Sequence, residues 1–309
     1  MLLLSISFLL FQCSALQTPS PRDIAKLQTV SETKDILFSL ASDQMAGRDM
    51  RSGGYPMAAT YVANYFKSNA IEPFFETGYK DAFTLNDVTS YNVVAKIGTY
   101  DPERPTILIG AHLDHIGIST KTKDSIYNGA NDNASGSTAV LQIAKVLSKY
   151  KWEQNIVIAL FAAEEKGLLG AKHLADRFQK EKVSLQLMFN FEMIGKTLTT
   201  GANRVYMTGY KMSDLPAVMN RFTPNFVTFL PEAEGYNLFK RSDNYAFYQT
   251  FGVPCHTLSS FDFKNYDYYH KAEDEAESLD VENMNQIIRT STYSIGQVLR
   301  SKAVITVNE

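Results

Sequence analysis

Three short apolar runs, each followed closely by polar residues, place the strongest constraint on how this chain folds. They cover residues 106–109, 155–161 and 185–191. Continuous apolar runs of this length are typical of strands buried on both faces of a parallel sheet. Segments with the periodicity of amphipathic helices lie between them. The pattern therefore predicts an α/β fold, a three-layer sandwich in which helices flank a mixed, mostly parallel central sheet.

Other elements follow from the same periodicity. Apolar positions at helical spacing predict helices over residues 34–40, 57–66, 168–178 and 282–299, and another directly after Gly136. Strands are predicted over residues 91–97, 204–208 and 251–259. Residues 220–239 are aromatic and irregular; they are interpreted as the wall of a substrate pocket, with a simple cover of the core as the alternative.

The length and net charge of the chain limit the classes of function that it can have. The chain has 309 residues, 45% of them hydrophobic, and a net charge of −3. This length supports one large core, and we expect a single catalytic domain over residues 31–309 after a polar tether over residues 16–30. No long basic block is present, which excludes an obvious nucleic-acid-binding role.

The first fifteen residues predict export. Residues 2–11 are apolar, of signal-peptide length and too short to span a bilayer, and small residues follow at 13–15. The expected location is secreted or in the periplasm and cell envelope. Acylation of Cys13 in a lipoprotein signal, giving a lipid anchor, and a buried N-terminal helix are the alternatives. The other cysteine, Cys255, then has no partner, so disulfides do not hold the fold.

Residues 110–136 carry the strongest indication of chemistry. His112 and Asp114 end the first apolar run, and Asp132 lies in an Asn-Asp-Asn sequence just before a helix. Open α/β sheets place their sites at such strand ends, and imidazole and carboxylate groups suit a divalent metal. The Asp114 carboxylate is suited to hold the far ring nitrogen of a metal-binding His112. A hydrogen-bonded pair and an ordinary turn remain as alternatives.

Further candidate ligands follow the later strands. Glu164 and Glu165 come after residues 155–161, Glu192 comes after residues 185–191, and His270 follows two tyrosines. Two adjacent carboxylates at a strand end can divide the work, one binding metal and the other facing the attacking water. The alternatives are an acidic helix start, a solvent-facing Glu192 and a packed histidine.

The order of these motifs resembles that of the zinc exopeptidases of the M28 type, the co-catalytic di-zinc aminopeptidases. The motifs are His-x-Asp, Asn-Asp-Asn, Glu-Glu, Asn-x-Glu-Met-Ile-Gly and Tyr-His-x-x-x-Asp. Residues 45–48 (Met-Ala-Gly-Arg) and residues 241–243 (Arg-Ser-Asp) also look like signatures of that family. The resemblance covers the chain from about residue 40 to the C-terminal helix and implies the zinc-exopeptidase fold.

The resemblance implies two Zn²⁺ ions bridged by Asp132, with one ion as the alternative. It implies that His112 and Glu192 complete one site, and that Glu165 and His270 complete the other. The resemblance leaves His115 without a ligand role. The aminopeptidases usually carry Asp at the position of Glu192. Because the Glu side chain is longer, the alternative to two filled sites is a second site that binds its metal weakly.

Catalytic roles are implied in the same way. Glu164 becomes the general base and acid that takes a proton from a metal-activated water, and Asp114 orients His112. Tyr269 donates a hydrogen bond to the developing oxyanion, and Arg241 contacts the substrate. The implied function is removal of N-terminal residues from peptide substrates by a metallo-aminopeptidase.

Several related functions stay open at this stage. A glutaminyl-peptide cyclotransferase resembles the same fold, but cyclases of the family tend to carry Trp before the last histidine, where this chain has Tyr269. The only tryptophan is Trp152. Carboxypeptidase or dipeptidase activity is a further alternative, because the metal ligands do not determine which end of a peptide the enzyme cleaves. A binding domain without metal is disfavoured by the full set of ligands.

Overall fold

A mixed nine-stranded sheet runs through the centre of the part of the chain that the structure describes. The structure is a computed structural model, and it describes residues 17–85, 87–119, 124–301 and 303–308. The predicted signal peptide over residues 1–15, with Cys13, lies outside the described residues.

The strands and helices are numbered in chain order. The strands are β1 Glu72–Pro73, β2 Lys80–Leu85, β3 Val88–Ile97, β4 Thr106–His112, β5 Gly117–Ile118, β6 Ile126–Tyr127, β7 Asn155–Phe161, β8 Leu185–Phe191, β9 Val205–Met207, β10 Val227–Thr228 and β11 Cys255–Ser259. The helices are α1 Pro21–Leu27, α2 Val30–Leu40, α3 Gly54–Ser68, α4 Gly136–Leu147, α5 Leu169–Lys180, α6 Leu215–Phe222, α7 Pro231–Gly235, α8 Asn244–Phe251 and α9 Val281–Arg300. Among the described helices, none has both the length and the apolar character needed to cross a bilayer.

The strand order is β1-β3-β7-β4-β8-β11-β9-β10, with β2 paired to β3. The central strands β7, β4, β8 and β11 are parallel to their neighbours in that group, whereas β3 joins β7 in antiparallel fashion. β5 and β6 form a small separate hairpin. The predicted mixed and mostly parallel sheet is therefore confirmed.

Helices cover both faces of the sheet. Along β4, Ile107 and Ile109 belong to the cluster that includes residues of α2, α3, α4 and α9, whereas Leu108 belongs to the cluster with residues of α5 and α8. Successive side chains of a strand point to opposite faces, so a strand covered by helices on both sides must be apolar throughout. All seven residues of β4 and of β7 are buried.

The predicted boundaries differ most near the last strand. Residues 251–259 are predicted as a strand, but α8 continues to Phe251 and β11 begins only at Cys255. Gly252 ends α8 in the left-handed conformation at φ 63°, a typical helix C-terminus. Cys255 is buried, and burial raises the pKa of its thiol, so it does not have the environment of a nucleophile.

The predicted tether over residues 16–30 is wrong for its described part. Residues 21–27 form α1, which packs against α9. The Ser20 side chain accepts a hydrogen bond from the Asp23 amide and caps the helix, and Ile24 is buried. Gln28 donates through Nε2 to the Gln142 carbonyl. The polar composition concealed a helix that is capped at its start and anchored by one apolar residue.

The packing of α1 is tested by truncating its buried side chain. Ile24→Ala is expected to lower the free energy of unfolding by about 2–4 kcal/mol, because it leaves a cavity beneath the helix. The matched control, Lys26→Ala on the exposed side of the same helix, should change it by less than about 0.5 kcal/mol. Urea denaturation measures both. Equal stability of the two variants would mean that the segment is a tether after all.

Candidate metal centre and active site

The candidate site lies at the carboxyl ends of three neighbouring strands. His112 is the last residue of β4, Glu164 and Glu165 follow β7, and Glu192 follows β8. Because β7, β4 and β8 are adjacent and parallel, the ends of these strands meet at one edge of the sheet. The strand order therefore brings together side chains that are far apart in the sequence.

Asp132 is held on a short helical turn, Ala130–Ser135, that leads into α4. The carboxylate of Asp274 accepts hydrogen bonds from the Asn131 amide at 2.7 Å and from the Asp132 amide at 3.1 Å. The Tyr266 hydroxyl donates to the same carboxylate at 2.6 Å. The Tyr-His-x-x-x-Asp motif thus supplies Asp274, which fixes the backbone that carries Asp132.

The two asparagines on either side of Asp132 tie its turn to the end of β8. Asn133 Oδ1 accepts from the Met193 amide at 3.1 Å, and Asn131 Oδ1 accepts from the Gly195 amide at 2.9 Å. Asn133 also donates through Nδ2 to the Phe191 carbonyl. The Asn-Asp-Asn sequence is therefore more than an ordinary turn: it sets the position of Asp132 relative to the strand that leads to Glu192.

The predicted ligand atoms converge. His112 Nε2 lies 3.2 Å from Asp132 Oδ1, and His270 Nε2 lies 3.2 Å from Asp132 Oδ2. His270 Nε2 is also 3.1 Å from Glu165 Oε2. Ligands bound to one tetrahedral metal at 2.0–2.2 Å lie about 3.4 Å apart, so these separations fit shared metal sites. Each oxygen of Asp132 faces a different histidine, as a bridging carboxylate requires.

The charges of the site also fit a cation. Burial opposes ionisation of Asp132, but hydrogen bonds from His112 and His270 outweigh it and hold its pKa well below the ordinary range. Burial raises the pKa of Glu164 well above its ordinary range; His112 opposes the rise, and Glu192 adds to it. Carboxylates gathered in a low dielectric need a positive partner, which a divalent metal provides.

The contact between Asp114 and His112 differs from the predicted one. The far ring nitrogen of His112, Nδ1, lies 3.1 Å from the backbone carbonyl of Asp114 and 3.9 Å from its carboxylate. The carboxylate instead accepts from the amides of Glu164 at 3.0 Å and Glu165 at 3.4 Å. Asp114 therefore orients the imidazole through its main chain and the two glutamates through its side chain.

A cavity opens beside the ligands, lined by Asp132, Glu164 and Glu192. Tyr269 and Arg241 also line it, and both are exposed. The Tyr269 ring stacks on His270 at 4.0 Å between centroids. From the predicted wall over residues 220–239, Leu238 reaches the cavity.

Three residues at the ligands have a left-handed backbone conformation. Ala163, directly before Glu164, has φ 57°, and Met193, directly after Glu192, has φ 50°. His270 itself has φ 56°. Residues other than glycine seldom adopt this left-handed conformation, and such strain is typical of functional sites. Sequence patterns carry no sign of it because none of the three is glycine.

Sequence analysis assigned no role to two buried residues of the site. His115 Nδ1 lies 3.0 Å from Glu165 Oε1, and the ligand atoms of His115, Asp132 and Glu165 all lie within 4.8 Å of one another. Asp243 is buried, its carboxylate has no hydrogen-bond partner among the described residues, and burial raises its pKa well above the ordinary range. The His-x-Asp-His spacing and the Arg-Ser-Asp motif were the available signals.

Arg48 joins the loops that surround the site. Its buried guanidinium donates to the carbonyls of Leu113 at 2.8 Å, Asn128 at 2.6 Å, Gly129 at 2.8 Å and Leu40 at 2.6 Å. Leu113 adjoins His112 and Asp114, and Gly129 begins the turn that carries Asp132. The Met-Ala-Gly-Arg motif thus supplies a cation that fixes the loops bearing the ligands.

Comparison with known proteins identifies related chains. The sequence profile of peptidase family M28 matches residues 92–295, about two thirds of the chain. A probable zinc metalloprotease of Pyrenophora tritici-repentis is 37% identical over 116 residues, which cover 37% of this chain and 26% of that protein. The chain thus spans about a quarter of the length of the fungal relatives it matches.

Solved structures show the same fold. The Legionella pneumophila LapA aminopeptidase has a TM-score of 0.70 at 20% identity, covering 94% of this chain and 78% of that one. The Porphyromonas gingivalis glutaminyl cyclase has a TM-score of 0.67 at 15% identity, covering 88% and 99%. At these identities the similarity concerns the fold alone.

The role of Arg48 is tested by Arg48→Lys. Lysine keeps the charge but cannot reproduce the planar set of donors, so at least one buried carbonyl loses its partner. Since an unpaired buried polar group costs about 1–3 kcal/mol, we expect the free energy of unfolding to fall by about that amount or more. Urea denaturation measures it, with Arg51→Lys at an exposed position of the same segment as control. No difference between the variants would contradict the role.

Proposed function

The chain belongs to peptidase family M28, and we propose that it is a zinc-dependent aminopeptidase that removes N-terminal residues from peptides. One observation carries the proposal: Asp132, Glu192 and Glu164 line one cavity, and the other predicted ligands, His112, Glu165 and His270, meet at Asp132 beside it. The metalloprotease relative and the aminopeptidase of the same fold support the reaction class.

Zinc is the metal that these residues suit best, because they combine imidazole with carboxylate ligands. His112, Asp132 and Glu192 would hold one ion, and Asp132, Glu165 and His270 would hold the second. When bound, zinc supplies a Lewis acid that polarises a carbonyl and lowers the pKa of water. The zinc metalloprotease relative supports this choice.

Glu164 is the group that moves protons. Its carboxyl group lines the cavity, and its pKa is raised by burial, the direction required to exchange protons near neutral pH. Glu164 accepts a proton from the attacking water and later donates it to the leaving amine. A cation in the site would moderate the rise in its pKa and keep the base ionised at the start of the reaction.

Tyr269 and Glu192 act on opposite ends of the susceptible residue. The Tyr269 hydroxyl, on the exposed rim of the cavity, donates a hydrogen bond to the carbonyl oxygen as negative charge develops on it. Glu192 also lines the cavity, and its carboxylate is a suitable acceptor for the free α-ammonium group of the substrate. Arg241, exposed at the same rim, contacts the part of the peptide beyond the cleaved bond.

The cavity also indicates which N-terminal residues fit. Its far walls are mostly apolar and aromatic, formed by Tyr206, Leu238, Phe261 and Phe263, with the small polar residues Thr257 and Ser259 between them. Apolar and aromatic walls of this kind favour a large apolar side chain. We therefore propose peptides with apolar N-terminal residues as the substrate class.

Cyclisation of N-terminal glutamine is the second candidate, since the glutaminyl cyclase has the same fold. Against it, Tyr269 occupies the position where cyclases of the family tend to carry tryptophan. Trp152 lies elsewhere: its ring packs against Arg300 of α9 at 4.3 Å.

We also propose that the protein is exported and acts in the envelope or outside the cell, on the basis of residues 1–15 alone.

Replacing the proposed base tests the mechanism. Glu164→Gln keeps the shape of the side chain but removes its ability to accept a proton, so turnover of an aminoacyl-anilide should fall by roughly 10²–10⁴-fold. Zinc content, measured by mass spectrometry on the same sample, should stay unchanged because Glu164 is not a proposed ligand. Glu76→Gln, at an exposed position, is the control. Near-normal turnover in Glu164→Gln would rule out this assignment.

A further inference from the structure

His115 is fully buried and faces one of the proposed metal ligands. Its Nδ1 lies 3.0 Å from Glu165 Oε1 and 3.8 Å from Asp132 Oδ2. The Glu165 carboxylate has accepting oxygens only, so Nδ1 carries the hydrogen and donates it. This contact orients Glu165, and His115 is not among the residues that line the cavity.

The surroundings of His115 keep its ring in one position. Gly129 has φ 56°, and a Cβ atom at this position would lie 2.4 Å from the His115 ring, so glycine is needed for both reasons. The His270 ring packs edge-on against that of His115 at 5.7 Å between centroids. The His115 amide donates to the Arg48 carbonyl at 3.4 Å. These neighbours restrict the movement of the His115 ring beside Glu165.

His115 could bind the metal directly or hold one of its ligands in place, and the distances favour the second role. His270 Nε2 already lies 3.1 Å from Glu165 and 3.2 Å from Asp132, where a ligand of the second metal belongs. His115 Nδ1 is close to Glu165 but farther from Asp132, which is the arrangement of a group that holds a ligand rather than of a ligand itself.

We propose that His115 is a positioning residue that donates a hydrogen bond from Nδ1 to Glu165 and thereby retains the metal in the site formed by Asp132, Glu165 and His270. The inference rests on the metal centre of the proposed function but not on its reaction. The family resemblance gave His115, the second histidine of His-x-Asp-His, no role, and this inference assigns it one.

Three variants separate the donor from the bulk of the ring. His115→Asn places an amide N–H near the position of Nδ1, His115→Gln places it near Nε2, and His115→Leu removes the donor. We expect the dissociation constant of one of the two zinc ions, the one held by Asp132, Glu165 and His270, to rise roughly 10–100-fold in the Leu and Gln variants, the usual effect of losing such a partner. The Asn variant should stay close to the unmodified protein.

The probe is zinc itself, titrated into the metal-free full chain against a chromophoric chelator. His173→Asn, a half-buried histidine paired with Asp81 on another part of the molecule, is the control and should leave zinc affinity unchanged. Thermal unfolding of each metal-free variant identifies any general loss of structure. A peptidase assay is not needed, so absence of peptidase activity would overturn the proposed function and leave this inference standing.

Several results would overturn the inference. Unchanged zinc affinity in His115→Leu would mean that His115 has no part in metal retention. Equal loss in the Asn, Gln and Leu variants, with unaltered thermal unfolding, would show that the imidazole binds the metal directly. Rescue by Gln rather than Asn would place the important contact at Nε2 instead of Nδ1.

Discussion

Carboxylates that lie close together away from water determine the local structure of this molecule. Asp114, Glu164, Glu165 and Glu192 follow the carboxyl ends of β4, β7 and β8, and Asp132 lies beside them on the helical turn before α4. Their mutual repulsion and their loss of hydration both oppose folding. Histidines, backbone amides and, in the proposed holoprotein, two zinc ions offset that cost.

Much of the surrounding structure holds these groups in place. Arg48 binds the loops next to Asp114 and Asp132 through their carbonyls, and Asp274 binds the Asp132 turn through its amides. Asn133 connects that turn to Met193, beside Glu192. Such preorganisation means that ligands do not have to be gathered when a metal binds, which is the condition for a tight site. It also explains why motifs widely separated in the sequence are spatially connected.

The sequence predicted the parts of the molecule that depend on local patterns. β7 and β8 have the predicted bounds because apolar runs buried on both faces leave a clear signal. His112, Glu165 and Glu192 come together because β4, β7 and β8 are adjacent. The helix over residues 21–27 was missed, since a single buried residue, Ile24, anchors a polar segment. The places of His115 and Asp243 could not be predicted, because burial beside Glu165 and Glu164 depends on the packing of distant segments.

The central claim is that the buried carboxylates hold zinc for the hydrolysis of N-terminal peptide bonds. A panel of leucyl-, phenylalanyl-, lysyl- and glutamyl-anilides, each with its N-acetylated counterpart, tests it most directly when zinc is measured on the same sample. We expect about two zinc ions per chain, cleavage of the free-amine anilides only, and preference for the apolar residues. Cleavage of the acetylated set, or no cleavage together with cyclisation of a glutaminyl peptide, would contradict it.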